Sequence, residues 1–263
     1  MRSVLEALAA GQISLEEAEA RLTGYATTEA GRFDAAREHR RGVPEAILGD
    51  GKTPEEVADL VSTALETTGR ALVTRTTAAA REAVAGVLPP DAEVETDERS
   101  GLVVVRAGDY EPPRLDATVA VVTAGTSDVP VAAEAAAVAE AMGARVHRIT
   151  DVGVAGVHRL LDHLEPIRAA DVAVVAAGRE GALPTVVAGL VDTPVIGLPV
   201  STGYGRGGDG EAALLGMLQS CAVITVVNID AGFVAGAQAG LVARAVAAAR
   251  VESAPDRPAA DAR

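Results

Sequence analysis

The chain has 263 residues, 49% of them apolar, which is enough material for one large domain or two small ones. Its net charge of −14, from 23 basic against 37 acidic residues, argues against electrostatic capture of nucleic acid or an anionic membrane. Aromatics make up only 2% with no Trp, so the core has to be built from Ala, Val and Leu, and the single cysteine excludes both a disulfide framework and a cysteine-based zinc site.

In chain order, the first ten residues carry Glu6 inside their apolar run, so no secretion signal is expected, and the single cysteine makes a reducing cytoplasm the default expectation. Residues 1–90 read as a mainly helical region. Ser14-Leu-Glu-Glu17 is a capping-box signal, and Thr53-Pro-Glu-Glu-Val57 puts Pro at a first helical position with acids complementing the helix dipole. Pro89-Pro90 then punctuates the chain, and residues 91–117 read as a transition with one strand, at 102–106.

From 118 to 250 strands and helices alternate. Strands are expected at 119–122, 145–149, 172–177, 194–198 and 223–227. Helices are expected at 130–142, 156–164, 181–190, 211–219 and 232–250. Continuous apolar strands spaced by helices imply a parallel sheet covered on both faces, a three-layer α/β/α domain. The stretch 212–229 carries no formal charge over 18 residues, but its period switches from helical to β-branched midway, so a helix and a buried strand fit better than a membrane span. The tail, 251–263, is rich in Pro, Ala and Asp and is expected to be disordered.

In such a sheet ligands bind beyond the carboxyl ends of the strands. The first polar cluster there is Thr123-Ala-Gly-Thr-Ser-Asp128. Gly125 permits a tight turn, and the hydroxyls of Thr126 and Ser127 with free helix amides can hold a phosphate. Asp128 would take a ribose hydroxyl, a metal or a proton, or would simply cap a helix. The second cluster, Ala177-Gly-Arg-Glu-Gly-Ala-Leu-Pro184, sets Arg179 and Glu180 between glycines Gly178 and Gly181. Arg179 suits a phosphate or carboxylate and Glu180 a base or metal ligand, against the plainer reading of a surface turn.

The third cluster, from Pro199 through Ser201, Thr202, Gly203 and Tyr204 to Gly210, holds five glycines and reads as a flexible lid, with Tyr204 available for stacking. The fourth is Asn228-Ile-Asp230-Ala-Gly-Phe233, whose Asn228 and Asp230 either serve a site or cap the last helix. His147 reads as a structural strand residue, and His158 lies early in a helix. No His, Asp or Glu spacing resembles a metal centre. Cys221, alone at a helix-to-strand junction, is either a small buried apolar residue or a nucleophile. Lys52, Arg70 and Arg75 read as solvated charges or as cations reaching over a ligand.

Taken together, the clusters from Thr118 to Ala248 resemble the catalytic domain of phosphoribosylaminoimidazole carboxylase mutases. Where that family has a Ser-Ala-His-Arg motif, however, this chain has Ile149-Thr-Asp-Val-Gly-Val-Ala-Gly156. A closer resemblance is to the LarB family, the pyridinium-3,5-biscarboxylic acid mononucleotide synthases of nickel-pincer nucleotide biosynthesis. It is carried by Thr123–Asp128, Asp151–Gly156, Glu180–Pro184, Ser220-Cys221 and Asn228–Phe233. It is also carried by Phe33-Asp-x-x-Arg37, Arg41-Gly-x-Pro-Glu45 and Gly51-Lys-Thr53.

That resemblance implies carboxylation of the pyridinium ring of nicotinic acid adenine dinucleotide by CO2 or bicarbonate, with cleavage of the phosphoanhydride to release AMP. It assigns the nucleophile to Cys221. It implies phosphate and ribose contacts by Thr126, Ser127 and Asp128, and a role for Arg179 and Glu180 in orienting the pyridinium carboxylate or handling the C5 proton. No tightly bound cofactor is implied; Mg2+ could accompany the diphosphate. A homo-oligomer is implied, with an octamer as one candidate count. The competing readings are a purine-pathway carboxylase mutase and a nucleotide-binding module without chemistry.

Overall fold

The computed structural model describes residues 2–28 and 30–253. Helices α1 (Arg2–Ala9) and α2 (Leu15–Thr23) open the chain, and β1 (Ala26–Thr27) pairs with β2 (Arg32–Phe33). Next come α3 (Arg37–Arg41), β3 (Ile47–Leu48), α4 (Pro54–Thr68), β4 (Arg70–Thr74) and α5 (Ala78–Ala85), then β5 (Glu93–Asp97) and β6 (Leu102–Arg106). Both helix starts expected from the sequence form with their caps. Ser14 Oγ accepts the Glu17 amide at 3.1 Å, and Thr53 and Glu56 close a reciprocal capping box.

The N-terminal region is helical, and it also holds a four-stranded sheet in the order β3-β4-β6-β5. This corrects the expectation in two places. Strands β3 and β4 fall within 1–90, and the 91–117 stretch carries two strands instead of one. Its central strands β4 and β6 are buried on both faces, and their side chains alternate between them, whereas the edge strand β5 is exposed. Ala71, Val73, Val103 and Val105 pack with Val57, Val61 and Val84 of α4 and α5. Leu72 and Val104 turn the other way and pack on the second half of the molecule.

That half runs β7 (Thr118–Thr123), α6 (Val129–Ala141), β8 (Arg145–Ile149), α7 (Val157–Asp162), α8 (Leu164–Arg168), β9 (Val172–Ala177) and α9 (Ala182–Ala188). It closes with β10 (Val195–Pro199), α10 (Glu211–Leu218), β11 (Thr225–Val226) and α11 (Gly232–Ser253). The five strands are all parallel, in the order β11-β10-β9-β7-β8. The order reverses between β7 and β9, the point at which a doubly wound sheet opens a crevice. Val119 and Val121 face α6 and α11, whereas Ala120 and Val122 face α7 to α10, which gives the expected three layers. The N-terminal sheet then covers the outer side of α6 through Leu72, Val104, Ala137, Val138 and Met142.

Small residues let a core without bulky aromatics close. Gly232, Gly236 and Gly240 of α11 line up one turn apart against α6, and a Cβ on Gly236 would run into the Ala135 carbonyl. The uncharged stretch 212–229 becomes α10, a loop and the short β11, which is shorter than the strand expected at 223–227. Among the described residues α11 is long and apolar enough to cross a membrane by length and composition, and it is packed as the core helix against α6 and the sheet. It runs to Ser253, through three residues expected in the tail; the rest of that tail lies outside the described residues.

Candidate active site

A cavity of about 650 Å³ opens at the carboxyl ends of β7 and β9, at the switch point of the sheet. Four segments supply its wall. Gly125, Ser127 and Asp128 come from the turn after β7, Arg179 and Glu180 from the turn after β9, Thr202, Gly203 and Tyr204 from the segment after β10, and Gly153, Val154 and Arg159 from the stretch after β8.

Asp128 is the buried member, 4% exposed, and its geometry follows from the 3-10 turn that starts α6. Its Oδ2 accepts the Gly125 N–H at 2.7 Å, and its Oδ1 accepts the Thr202 hydroxyl at 3.0 Å, so one carboxylate ties the first and third loops together. Burial pushes its carboxyl above the usual aspartate range, while the Gly125 N–H, the Thr202 hydroxyl and the Gly178 N–H work in the other direction. Gly178 is where the second and third loops touch: a Cβ there would collide with the Thr202 carbonyl.

Arg179 has a left-handed backbone (φ 53°) that turns its side chain out to Tyr204. The guanidinium stands 4.0 Å from the Tyr204 ring centroid and donates to its hydroxyl at 3.1 Å. Tyr204 itself is 81% exposed and belongs to the glycine-rich segment, which lines a second hollow of about 390 Å³ beside the first. Arg179, Glu180 and Tyr204 border both spaces.

Other sequence-expected site residues stand behind this wall. Thr126 lies in the first turn but offers its carbonyl to Arg99 and does not line the cavity. Gly181 caps α9 and packs on Ala213. Asp230 accepts the Ser201 N–H at 2.9 Å and so pins the end of β10 to the turn before α11; neither residue lines the cavity. Asn228 caps its own turn, its side-chain oxygen accepting the Ile229 N–H at 2.9 Å.

Cys221 is exposed and lines neither hollow. The chain leaves the rim at Gly210, descends through α10 and reaches Cys221 just before β11, at the amino end of that strand. Within one chain the thiol is therefore not assembled with Asp128 and Glu180. His147 and His158 are exposed and also lie off the cavity. Among the described residues no group of three or more His, Cys, Asp or Glu is set to hold a metal.

The family model described as LarB/PurE-like N-terminal domain matches residues 25–107, and the one described as AIR carboxylase matches residues 118–259. The chain belongs to the LarB family. Uncharacterized protein MJ0165 of Methanocaldococcus jannaschii is 38% identical over 252 residues, covering 93% of this chain and 97% of its own. Two Treponema denticola structures, PurE and a variant of PurE2, are each 18% identical with a TM-score of 0.37. They cover 53% and 56% of this chain, and 99% and 100% of their own.

The LarB-type N-terminal domain meets the cavity-bearing domain at the loops that build the site. Arg99, in the turn between β5 and β6, donates to the Thr126 carbonyl. Arg75, with φ 56°, donates to the Asp230 carbonyl at 2.8 Å and stands 4.0 Å from the buried Glu134. Of Lys52 and Arg70, only Arg70 departs from the solvated charge that the sequence suggested. Lys52 caps the Leu48 carbonyl at 2.7 Å, and Arg70 is buried, paired with Glu38 at 2.7 Å.

Sequence reasoning also passed over Arg159, which lines the cavity and pairs with Asp151 at 2.7 Å. The signal was present: Asp151 and Arg159 bracket the Val-Gly-Val-Ala-Gly segment that follows β8, and a charge pair around a glycine-rich strand end marks a site rim.

Proposed function

We propose that this LarB-family chain carboxylates C5 of the pyridinium ring of nicotinic acid adenine dinucleotide through a transient cysteinyl adduct. It then cleaves the phosphoanhydride to give pyridinium-3,5-biscarboxylic acid mononucleotide and AMP. The observation that carries the reading is the cavity itself. Two carboxylates, Asp128 and Glu180, and two guanidiniums, Arg159 and Arg179, converge at the switch point in a LarB-family chain. The guanidiniums suit the substrate's carboxylate and phosphates, and the Tyr204 ring beside Arg179 suits a flat cationic heterocycle.

A pyridinium ring is too electron-poor for C5 to attack CO2 directly. Addition of the Cys221 thiolate at C4 forms a C–S bond and leaves an enamine whose C5 is nucleophilic. C5 then bonds to CO2, its proton passes to Glu180, and the C4–S bond breaks as the ring regains aromaticity and the thiolate leaves. A water molecule is consumed in the separate cleavage of the phosphoanhydride. Asp128, held by three donors, fixes the first loop for the ribose and phosphate. A magnesium ion carried by the substrate's diphosphate would neutralise charge there, since among the described residues no carboxylate cluster is set to hold one.

The thiol in this reading serves the cavity of a neighbouring copy in a homo-oligomer. Cys221 is exposed, and its chain neighbours Leu215, Leu218 and Val223 are 51%, 59% and 96% exposed, an apolar patch of the kind that a second subunit covers. A reducing cytoplasm, which keeps the lone thiol free, belongs to the same account.

Incubation with nicotinic acid adenine dinucleotide and 13C-bicarbonate tests the function. The expected products are AMP and a mononucleotide heavier by one labelled carboxyl group, in equal amounts. Release of AMP with no label in the ring would leave a hydrolase and overturn the carboxylation.

A further inference from the structure

A third hollow, of about 460 Å³, lies away from the cavity, between α3 and α11. It is lined by Arg37, Arg40 and Arg41 on one side and by Phe233, Val234 and Leu241 on the other. Two sequence segments that the chemistry above leaves unused meet here: the arginine-rich stretch from Phe33 to Glu45 and the Phe233 end of the Asn228 motif.

The charges at this groove do not cancel. Arg37 pairs with Glu45 at 3.1 Å and Arg40 with Asp34 at 2.8 Å. Among the described residues Arg41 pairs with no acid, and neither does Arg244, which donates to the Gly42 carbonyl at 2.7 Å beside the groove. In addition, Arg37 Nε is buried without a hydrogen-bond partner. A chain of net charge −14 thus gathers a surplus of cations at one concave place and leaves a buried donor unanswered there. The opposite wall is apolar: Val234 is 53% and Leu241 37% exposed, and the Phe233 ring lies 6.0 Å from the Arg37 guanidinium.

We infer that this groove binds a 5′-nucleoside monophosphate, with the phosphate on Arg41 and the nucleoside against Phe233, Val234 and Leu241. Guanidinium forks match phosphate oxygens, and a flat base is the natural partner of an aromatic and aliphatic wall. The volume falls in the range of small-ligand pockets, about 300–1,000 Å³. Two sources supply this chemistry: a free nucleotide, or the adenylate end of a dinucleotide. Binding of a free nucleotide stands apart from the carboxylation described above, whereas binding of the adenylate end rests on that reading.

Calorimetric titration of 5′-AMP, adenosine and inorganic phosphate into the wild-type protein, Arg41→Glu and Leu241→Glu tests it. AMP is expected to bind more tightly than either fragment, and each variant is expected to weaken AMP by at least about tenfold while keeping the wild-type Tm. Equal binding of phosphate and AMP would remove the nucleoside from the inference. AMP binding that survives Arg41→Glu but is lost in Thr202→Ala would move the ligand to the main cavity and overturn it. A changed oligomer mass in Arg41→Glu, with no AMP binding by the wild type, would make the groove a contact between copies and overturn it as well.

Rates with the dinucleotide separate the two sources. A raised KM in Arg41→Glu identifies the adenylate end of the substrate, and an unchanged KM with lost AMP binding identifies a free nucleotide. Arg41-dependent AMP binding by a protein that fails to carboxylate would sink only the proposed reaction.

Discussion

Glu134 is a carboxylate held where water does not reach, 6% exposed between β4 and α11. Its Oε1 has no hydrogen-bond partner among the described residues, and Oε2 stands 4.0 Å from Arg75. Burial pushes its carboxyl above the ordinary 4.5; Arg75, the Thr74 hydroxyl and the Phe233 N–H oppose that, and Asp230 adds to it. The native state therefore holds this proton more tightly than the unfolded chain does. Stability from this group is present at pH below 4.5 and is lost as pH rises from there through the native value. Glu134→Gln is expected to gain Tm relative to wild type as pH is raised from about 5 to about 8, and a difference that stays flat would refute the assignment. Cys221→Ser makes the opposite kind of prediction. The side chain is exposed, so its loss should cost at most about 1 kcal/mol of stability in denaturant melts. Carboxylation should nevertheless vanish, because an alkoxide is a poor leaving group from the ring. Near-wild-type turnover by Cys221→Ser would rule out the covalent route.

At the scale of elements, the segment from Ser201 to Gly210 is the part of the site with the least packing to hold it. The sequence alone makes Gly203 and Gly205 equivalent, but their backbones differ. Gly205 has φ 84°, whereas a Cβ on Gly203, which lacks a positive φ, would find only Arg179, 3.8 Å away. Gly205→Ala is expected to strain the segment by on the order of 1 kcal/mol and to slow turnover severalfold with little change in Tm, and Gly203→Ala to stay near wild type. Equal losses of Tm and rate in Gly205→Ala would mean that the segment supports the fold and does not close on a ligand. The same scale explains what could be read in advance. Strands β7 and β9 are unbroken apolar runs and announce themselves. Strand β4 is three apolar residues between Arg70 and Thr74, too short to stand out after a long helix. Strand β5, Glu-Val-Glu-Thr-Asp, is an edge strand with one apolar residue and carries no sheet signal at all.

On the scale of the whole molecule, the loops of the cavity were legible because each follows a strand and is rich in Gly, Ser or Asp. The position of Cys221 was open to the same reasoning. A residue between a helix and the next parallel strand sits at the amino edge of the sheet, across from the strand-to-helix turns where the cavity lies. The N-terminal sheet, which covers α6 and sends Arg75 and Arg99 to the loops of the site, could not be foreseen, since those contacts join residues far apart in the chain. A site whose nucleophile and carboxylates come from different copies makes a prediction that no single-chain site makes. Cys221→Ser and Glu180→Gln are each expected to be inactive alone. Co-expressed in equal amounts, so that mixed oligomers assemble, they should regain about a quarter of the wild-type rate of labelled carboxylate incorporation, since random mixing pairs an intact cavity with an intact thiol at that frequency. Mixed oligomers that stay as inactive as either parent would contradict the shared site and return Cys221, Asp128 and Glu180 to separate roles.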